Sequence, residues 1–302
     1  MQADSIAEIT PYVYGTTRLG DDSIAAEKRI ETANLAMNSG VWFHTSHQYN
    51  SALSILRKAF DNNRSAVPKL IIKLGGNTIT EFREDIRKNM EALGIDSIDV
   101  GQLCLGGSLA EEFATGGACY REFRTLKEEG LVRSFVMEVF PWTSDVPLRA
   151  LQAGYSQEIA DAHIFYLNPL QRFAGNALWD ALMEKGSRII AMRTVAGGPV
   201  HRLRDEPGFA WKEYLRKRAI EVAPIFEESG VESWTGFCVR YAHSIPGVIA
   251  TVGATSRPEN LDEFLSAKED LKPLPGNIVD KITILQYRWS DELDMKAEPW
   301  TM

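Results

Sequence analysis

The stretch GVWFHTSHQYNSALSILRKAF, residues 40–60, contains the unit from which the rest of the chain is built. It starts with a short apolar run at residues 41–44, which is typical of a buried strand. A polar turn follows, and over residues 52–62 apolar side chains recur at helical spacing. The stretch therefore predicts a strand, a loop and an amphipathic helix, in that order.

The same order recurs along the whole sequence. The predicted strands are residues 13–16, 41–44, 70–73, 98–104, 132–136, 164–167, 189–192 and 248–251. The predicted helices are residues 24–38, 52–62, 80–93, 110–129, 147–153, 177–185, 234–243 and 258–268. Several strands are continuous apolar runs, which is expected when both faces of a parallel sheet are covered.

Eight strand–helix units favour one closed parallel barrel, an α/β fold of the (β/α) TIM-barrel type, over two domains. We therefore predict that residues 1–302 form a single TIM-barrel domain. Residues 199–231 interrupt the rhythm after the seventh strand and predict an added helix. A C-terminal tail from Asn277 onward is also extra, and we expect it to fold back over the barrel.

Composition and charge narrow the class of partner. The 302 residues are 44% hydrophobic and 25% charged, and the net charge is −8, which argues against nucleic acid and anionic membranes as partners. The three cysteines, Cys104, Cys119 and Cys238, form no CxxC pair, so a disulfide framework is not expected. The N-terminus lacks the features of a signal peptide and no apolar run is long enough to span a bilayer. We predict a cytoplasmic protein that acts on a small molecule, and leave its oligomeric state open.

In a βα barrel, reactive residues lie where strands end and loops begin, because that rim is open. The predicted strand ends supply many titratable and polar groups there. They are Thr16, Thr17, His44, His47, Tyr49, Lys73, Cys104, Glu138, Asn168, Arg193 and the segment VGATSRPEN at residues 252–260. Such a concentration at the strand ends indicates a functional site.

The order and spacing of several segments resemble the aldo-keto reductase superfamily. The segments are VYGTTRLGDD (13–22), GVWFHTSHQYNSALSILRKAF (40–60), KLIIKLGG (69–76), LGIDSIDVGQL (93–103), EEGLVRSFVMEVF (128–140), IIAMRTVAGG (189–198) and PGVIATVGATSRPENLDEFL (246–265). Several of them fall where the barrel interpretation places a strand end, so the two lines of argument agree.

The resemblance implies a catalytic tetrad of Asp, Tyr, Lys and His. The matching residues here are His44, Tyr49, Lys73 and Cys104, so the Tyr and the Lys are kept and the Asp and the His are replaced. A nearby ammonium favours the phenolate, so we expect Lys73 to move the pKa of Tyr49 toward neutral pH. Without the usual carboxylate, we expect the pKa of Lys73 itself to fall.

The resemblance also implies a cofactor groove for NADP(H). At the nicotinamide end the usual residues are replaced by Glu138, Val139, Ile164 and Met192. The phosphate end is better preserved, and a helix N-terminus with an adjacent arginine suits a phosphate. The cofactor-binding candidates are Thr16, Thr17, Glu138, Arg193, Gly197, Gly198, Gly253, Ala254, Thr255, Ser256, Arg257 and Asn260.

Other interpretations of the same residues stay open. His44 and His47 are an acid–base pair that replaces the lost imidazole, or polar residues of a turn. His44, His47, Cys104 and Glu138 carry zinc-ligand groups, but their spacing does not force a metal geometry, and we predict no metal. Trp142 follows the fifth strand and is a candidate for the substrate pocket.

The leading hypothesis is an NADP(H)-dependent oxidoreductase of aldo-keto reductase type that acts on a carbonyl or alcohol group. Tyr49 would be the acid, Lys73 would adjust the pKa of Tyr49, and His44 or His47 would orient the substrate. The first alternative is a non-redox lyase, dehydratase or isomerase on the same barrel, with Tyr49, Lys73 and a histidine as acid and base. The second is a catalytically inactive binding subunit.

Overall fold

The computed structural model describes residues 6–139, 144–196 and 213–296, and its centre is a closed ring of eight parallel strands. The strands are β1 (Tyr12–Gly15), β2 (Trp42–Thr45), β3 (Leu70–Gly76), β4 (Ile98–Leu105), β5 (Val132–Glu138), β6 (Ala160–Asn168), β7 (Ile189–Met192) and β8 (Val248–Ala254). Each strand pairs in parallel with its sequence neighbour. The ring closes where β8 pairs with β1. The predicted (β/α) barrel is confirmed, and each predicted strand overlaps an observed one.

Helices surround the ring on its outer side. They are α1 (Ala26–Asn38), α2 (Ala52–Asn62), α3 (Ile79–Leu93), α4 (Gly107–Thr115), α5 (Cys119–Glu128), α6 (Val146–Gln152), α7 (Tyr155–Ile159), α8 (Asn176–Glu184), α9 (Glu213–Ser229), α10 (Trp234–Ser244), α11 (Pro258–Glu269) and α12 (Gly276–Lys296). A 3-10 helix at Thr17–Gly20 follows β1, another lies at Arg64–Ala66, and a two-residue strand, Gln171–Arg172, pairs antiparallel with β6.

The prediction of one helix over residues 110–129 is wrong, because the chain forms α4 and α5 there. Gly116 ends α4 in the left-handed region, with φ of 73°. A side chain at Gly116 would also collide with the ring of Tyr155. The glycine is therefore required both by its backbone angle and by a close approach.

The added helix predicted after the seventh strand is confirmed as α9, the C-terminal tail forms α12, and the two helices contact each other. Arg218 of α9 donates to the carbonyl of Leu170 (3.0 Å) and lies over the ring of Trp289 of α12 (4.6 Å). Gln286 of α12 donates through Nε2 to the carbonyl of Asn168 at the end of β6 (2.9 Å). The C-terminal tail thus returns to the carboxyl end of a barrel strand.

The barrel interior is apolar in its lower layers. Val13, Ile71, Val100, Val136 and Ile164 belong to one fully buried cluster inside the ring. Successive strand residues point to opposite sides, so their neighbours face the helices. This alternation determines which residues at the strand ends point into the mouth of the barrel.

Within the described residues no helix is both long enough and apolar enough to cross a membrane. That residues 1–302 form a single domain stays a prediction.

Candidate active site

A polar layer lies above the apolar interior at the carboxyl ends of the strands. Lys73 stands two positions after Ile71 on β3, Glu138 two after Val136 on β5, and Tyr166 two after Ile164 on β6. A step of two keeps a strand residue on the same side of the sheet, so these side chains point into the mouth as Ile71, Val136 and Ile164 point into the interior.

Lys73, Glu138 and Cys104 form a connected group in this layer. The Nζ of Lys73 lies 2.8 Å from Oε1 of Glu138, and the thiol of Cys104 donates to Oε2 of the same carboxylate. The side chain of Glu138 is only 4% exposed. Both carboxylate oxygens are therefore engaged inside the barrel mouth, which differs from the cofactor contact predicted for Glu138.

The expectation that Lys73 has no counter-ion and a lowered pKa is wrong. Burial disfavours the ammonium, but the negative charge of Glu138, with smaller contributions from Tyr49 and Cys104, outweighs it. The pKa of Lys73 is consequently raised above its ordinary value. The aldo-keto reductase pattern places the carboxylate partner of the Lys at position 44 on β2, which is a His here. In this chain Glu138 on β5 supplies the carboxylate instead.

Burial, followed by the negative charge of Glu138, raises the pKa of the Cys104 thiol well above its ordinary value. The thiol thus keeps its proton and serves as a donor to the carboxylate. Because the thiolate is the reactive form of cysteine, this arrangement does not favour Cys104 as a nucleophile.

Tyr49 lies in the loop between β2 and α2 and is held by close backbone contacts. A Cβ on Gly20 would lie 2.0 Å from the carbonyl oxygen of Tyr49, so the two loops touch at that point. The next residue, Asn50, adopts the left-handed region with φ of 46°. Asparagine tolerates this conformation better than most residues.

The phenol of Tyr49 interacts with Thr17 and, through its charge, with Lys73. Burial raises its pKa to about 12, although the ammonium of Lys73 and a hydrogen bond with Thr17 lower it. Lys73 thus lowers the pKa of Tyr49 as expected, but the net pKa still lies above the ordinary tyrosine value, because desolvation of the phenolate outweighs the nearby positive charge. At neutral pH Tyr49 is therefore a neutral phenol.

His44 points into the mouth but is neutral. Its Nε2 donates to Oε1 of Gln102 on β4 (2.7 Å), and Gln102 Nε2 lies 3.9 Å from Sδ of Met192. Burial, reinforced by the charge of Lys73, lowers the pKa of His44 to about 4. Its ring centre lies 6.2 Å from that of Tyr49.

His47 faces a different partner from His44. Its Nδ1 lies 3.0 Å from Oδ1 of Asp85 on α3, and Oδ2 of Asp85 accepts the backbone N–H of Gly75 (2.9 Å). The side chain of His47 is 45% exposed. The two histidines thus do not act on each other.

A metal site would require several of these side chains to converge on one point. Among the residues that the structure describes, which include His44, His47, Cys104 and Glu138, no three His, Cys, Asp or Glu side chains are arranged to hold a metal ion. The zinc alternative therefore has no geometric support in this part of the chain.

Tyr166, Gln102 and Asp85 contact the candidate residues, and sequence reasoning missed all three. Tyr166 stacks on Phe173 at 5.0 Å, and the guanidinium of Arg193 lies 5.5 Å from its ring centre. Burial raises the pKa of Tyr166, while Arg193 and Lys73 lower it. Extending the period of two from the apolar interior residues would have identified Tyr166 and Gln102.

Arg193, predicted at the cofactor groove, follows directly after β7 in an uncommon backbone conformation. Its φ of 50° lies in the left-handed region, where a residue with a side chain is disfavoured. Asn168 donates through Nδ2 to its carbonyl (3.0 Å), which helps to hold that conformation. A strained residue at the mouth is consistent with a functional site.

The rim after β8 leads directly into α11. Arg257 is the N-cap residue of this helix and provides no side-chain cap, and Pro258 occupies the first turn. Arg257 is exposed, and within the described residues no acceptor binds its guanidinium. Asn260, also in the first turn, is partly exposed. The free N–H groups and the cation make this end suitable for an anion.

Neighbouring candidates on this rim have structural partners. Thr255 is buried, and its carbonyl accepts from Tyr14 (2.5 Å), while the carbonyl of Ser256 accepts from Thr32 (3.2 Å). A side chain on Gly253 would overlap the ring of Phe264, so packing explains this glycine. Ala254 is exposed at the end of β8. The cofactor contacts assigned to these residues stay predictions.

Four further candidates remain, one within the described residues and three outside them. Thr16 is buried and donates to Oγ1 of Thr45 (2.8 Å), so its hydroxyl already has a partner. Gly197, Gly198 and Trp142 lie outside the described residues.

Val139, Ile164 and Met192, which are predicted to lie at the nicotinamide end of the cofactor groove, are buried. Ile164 belongs to the barrel interior, so it does not replace a polar group that would hold a carboxamide.

Fold and site together define a class: a (β/α) barrel whose titratable side chains meet at the carboxyl ends of its strands. Comparison with known families specifies it further, because the model of the Aldo/keto reductase family matches residues 11–285. The chain belongs to the aldo/keto reductase family, which is a family of oxidoreductases.

Solved structures of low identity share the fold. An aldo/keto reductase from Klebsiella pneumoniae in complex with NADP and acetate is 15% identical, with a TM-score of 0.68 and 92% of both chains covered. An aldo-keto reductase from Bacillus halodurans in its holo form is 19% identical, with a TM-score of 0.69 and the same coverage. A further Klebsiella pneumoniae aldo-keto reductase, in complex with NADPH, is 16% identical, with a TM-score of 0.68 and 92% of both chains covered. No curated protein sequence matches significantly.

Proposed function

We propose that this protein is an NADP(H)-dependent oxidoreductase that interconverts a carbonyl and an alcohol group on a small organic substrate. The proposal is supported by the electrostatic coupling of a neutral phenol, Tyr49, to a charged ammonium, Lys73, which lies 2.8 Å from Glu138 in the mouth of the barrel. Membership of the aldo/keto reductase family supports the same reaction class.

The electrostatics of the site suit an acid. With a pKa of about 12, Tyr49 holds its proton at neutral pH and can donate it to a developing alkoxide. Lys73 then stabilises the phenolate left behind, since its charge lowers the pKa of Tyr49. The hydrogen bond with Thr17 also lowers the pKa of Tyr49 and so favours the phenolate in the same direction as Lys73.

The described residues at the phosphate end suit NADP(H). The start of α11 without a side-chain cap, and the Arg257 guanidinium, which no described residue binds, are the donor types that bind phosphate. Arg257 and Asn260, with the first-turn N–H groups, would hold the phosphates. When bound, NADPH supplies the reducing equivalents for the reaction. Two of the structural neighbours were solved with NADP or NADPH.

Cofactor binding is tested by titrating the protein with NADPH and following tryptophan fluorescence. We expect saturable quenching in the micromolar range, which is typical of cofactor and substrate affinities. No change at high micromolar NADPH would contradict the proposal.

The acid is tested by NADPH consumption with a panel of aldehydes and ketones. Tyr49→Phe should lose about 10²- to 10⁴-fold in kcat, because a positioned proton donor is removed. Tyr155→Phe is the matched control, since Tyr155 lies on α7 against Tyr120, among the helices outside the ring. A Tyr49→Phe variant as active as the parent protein would remove Tyr49 from the mechanism.

One observation favours a second candidate, a proton-transfer reaction such as elimination or isomerisation. Asp85 orients His47 through Nδ1 and leaves Nε2 on an exposed side chain, which is the arrangement of a general base. This alternative predicts turnover without NADPH and a loss of that turnover in His47→Gln. Turnover that strictly requires NADPH would exclude it.

A further inference from the structure

We infer that Glu138 is a positioning residue of this active site: its carboxylate fixes the ammonium of Lys73 beside Tyr49 and keeps it charged. The inference deepens the proposed oxidoreductase function and rests on it for the catalytic part. The contact between Glu138 and Lys73 can be tested without any substrate or cofactor.

The carboxylate of Glu138 is held at both oxygens. One lies 2.8 Å from Nζ of Lys73 and the other accepts the thiol of Cys104. These partners come from β3 and β4, and Glu138 is on β5, so the contact spans three adjacent strands. Strand positions are rigid compared with loops, which fixes the carboxylate in one place.

Lys73 depends on this partner. Its side chain is only 19% exposed, and within the described ranges Glu138 is the one carboxylate at ion-pair distance from it. An ammonium buried without a partner is strongly disfavoured. Removing the charge of Glu138 therefore favours the neutral amine at position 73.

Other titratable or charged groups around Lys73 do not replace Glu138. The titratable groups are Tyr49 in the β2–α2 loop, His44 on β2, Cys104 on β4 and Tyr166 on β6. Two charged groups nearby have other partners: Arg193 lies over the ring of Tyr166, and Asp85 pairs with His47. At neutral pH the phenols, the thiol and the imidazole carry no negative charge. Glu138 is thus the group that balances Lys73.

The consequence reaches Tyr49 through Lys73. The ammonium is the main influence that lowers the pKa of Tyr49, against burial that raises it. If Lys73 becomes neutral, the phenolate loses its stabilising charge and Tyr49 becomes a weaker acid. Glu138 therefore supports proton transfer without touching the substrate.

The first test uses the protein without cofactor. NMR of isotopically labelled lysine, with the Lys73 signal assigned by its loss in Lys73→Met, follows the charge of Lys73 against pH. In the parent protein we expect Lys73 to stay charged into the strongly alkaline range. In Glu138→Gln we expect it to lose its proton at a lower pH. A parent Lys73 that titrates below the ordinary lysine value would overturn the inference, even if Glu138→Gln does not fold.

The second test uses kinetics with the aldehyde and ketone panel. Glu138→Gln should lower kcat by about 10²-fold, and its rate should decline on the alkaline side at a lower pH than that of the parent. Its NADPH affinity should stay within about twofold, because the change acts on the chemical step. Glu228→Gln is the matched control, since it removes a Glu–Lys pair to Lys281 (2.5 Å) between α9 and α12.

A double variant tests whether the carboxylate acts through Lys73. His44 faces the same mouth, so His44→Asp in the Glu138→Gln background should restore the charge of Lys73 and recover at least about tenfold in kcat. Restored charge without recovered activity would overturn the positioning role.

Failure of the two proposals is distinguishable. If the parent neither binds NADPH nor consumes it, the proposed function fails. An unchanged Lys73 titration in Glu138→Gln, or an unchanged kcat and pH profile in a variant that binds NADPH, overturns the role of Glu138 alone.

Discussion

His163 on β6 is a buried histidine, and it should make the protein sensitive to acid. Its side chain is 3% exposed, and within the described residues neither ring nitrogen has a hydrogen-bond partner. Burial disfavours the imidazolium and lowers the pKa of His163 to about 4. In the unfolded chain the pKa of histidine is about 6.5.

The sign follows from these two values. The pKa of His163 is lower in the folded protein than in the unfolded chain. Between pH 6.5 and pH 4 the histidine is therefore protonated in the unfolded chain and mostly neutral in the folded protein. The stability that the neutral histidine contributes is complete above about pH 6.5 and is lost as the pH falls toward 4. At pH 5 the loss from His163 alone amounts to about 2 kcal/mol of the free energy of unfolding.

The variant His163→Leu removes the titrating group and replaces it with an apolar side chain of similar volume. At pH 7 we expect the free energy of unfolding to rise by about 1–3 kcal/mol, because unsatisfied buried nitrogens are eliminated. Between pH 7 and pH 5 the variant should lose about 2 kcal/mol less than the parent protein.

The assay is urea denaturation followed by circular dichroism at a series of pH values, with an unchanged m-value as the sign that both proteins unfold in the same way. A variant that is less stable at pH 7 would show that the ring of His163 has favourable contacts. A variant with the same pH dependence as the parent would show that His163 is not the acid-sensitive group.

Three further predictions concern the site. Gly20→Ala should displace the backbone of Tyr49 and lower kcat by about 10–100-fold, because a new Cβ would lie 2.0 Å from its carbonyl oxygen. Gly276→Ala, where a Cβ has nothing within 4 Å, should leave kcat unchanged, and equal rates in the two variants would refute the argument. Arg257→Gln should weaken NADPH binding by about tenfold and reduce its salt dependence in fluorescence titrations, whereas unchanged affinity would place the phosphates elsewhere. Because the pKa of Tyr49 is about 12, the rate of carbonyl reduction, which uses the protonated phenol, should be constant from about pH 7 to about pH 10. The rate of alcohol oxidation, which uses the phenolate, should rise with pH over the same range. The opposite trends in initial rates would rule out Tyr49 as the titrating acid.

The strands of this fold were predictable because each is a short apolar run, and the parallel barrel buries both sides of its strands. Residues 189–192 coincide with β7 at both ends. Helix ends were harder where glycines decide them. Gly116 lies in the left-handed region between α4 and α5, and Gly154 does so between α6 and α7. Gly116 stands within a segment whose apolar spacing continues, so periodicity alone did not reveal that break. The helix predicted over residues 147–153, in contrast, ends directly before Gly154.

The sequence predicts which residues belong to the site, but it does not predict which of them contact each other. Lys73, Cys104 and Glu138 were each named from their positions at strand ends, yet the ion pair between strands β3 and β5 was not foreseen. The reason is physical: the strand pattern shows which side of the sheet a residue faces, but the reach of a glutamate across an intervening strand depends on barrel curvature and side-chain rotamers. The pKa direction of Lys73 was wrong because the ion pair with Glu138 was not foreseen. The net pKa of Tyr49 was missed because the depth of its burial cannot be determined from the sequence pattern.

The hydrogen bond from Gln286 links assembly of the barrel mouth to the order of synthesis. Asn168, whose carbonyl accepts that bond, also holds the backbone of Arg193 beside Tyr166. A nascent chain lacks this amide until residue 286 has left the ribosome, although all eight strands have by then been translated. Completion of this side of the mouth therefore requires a residue that is synthesised after the last strand of the ring.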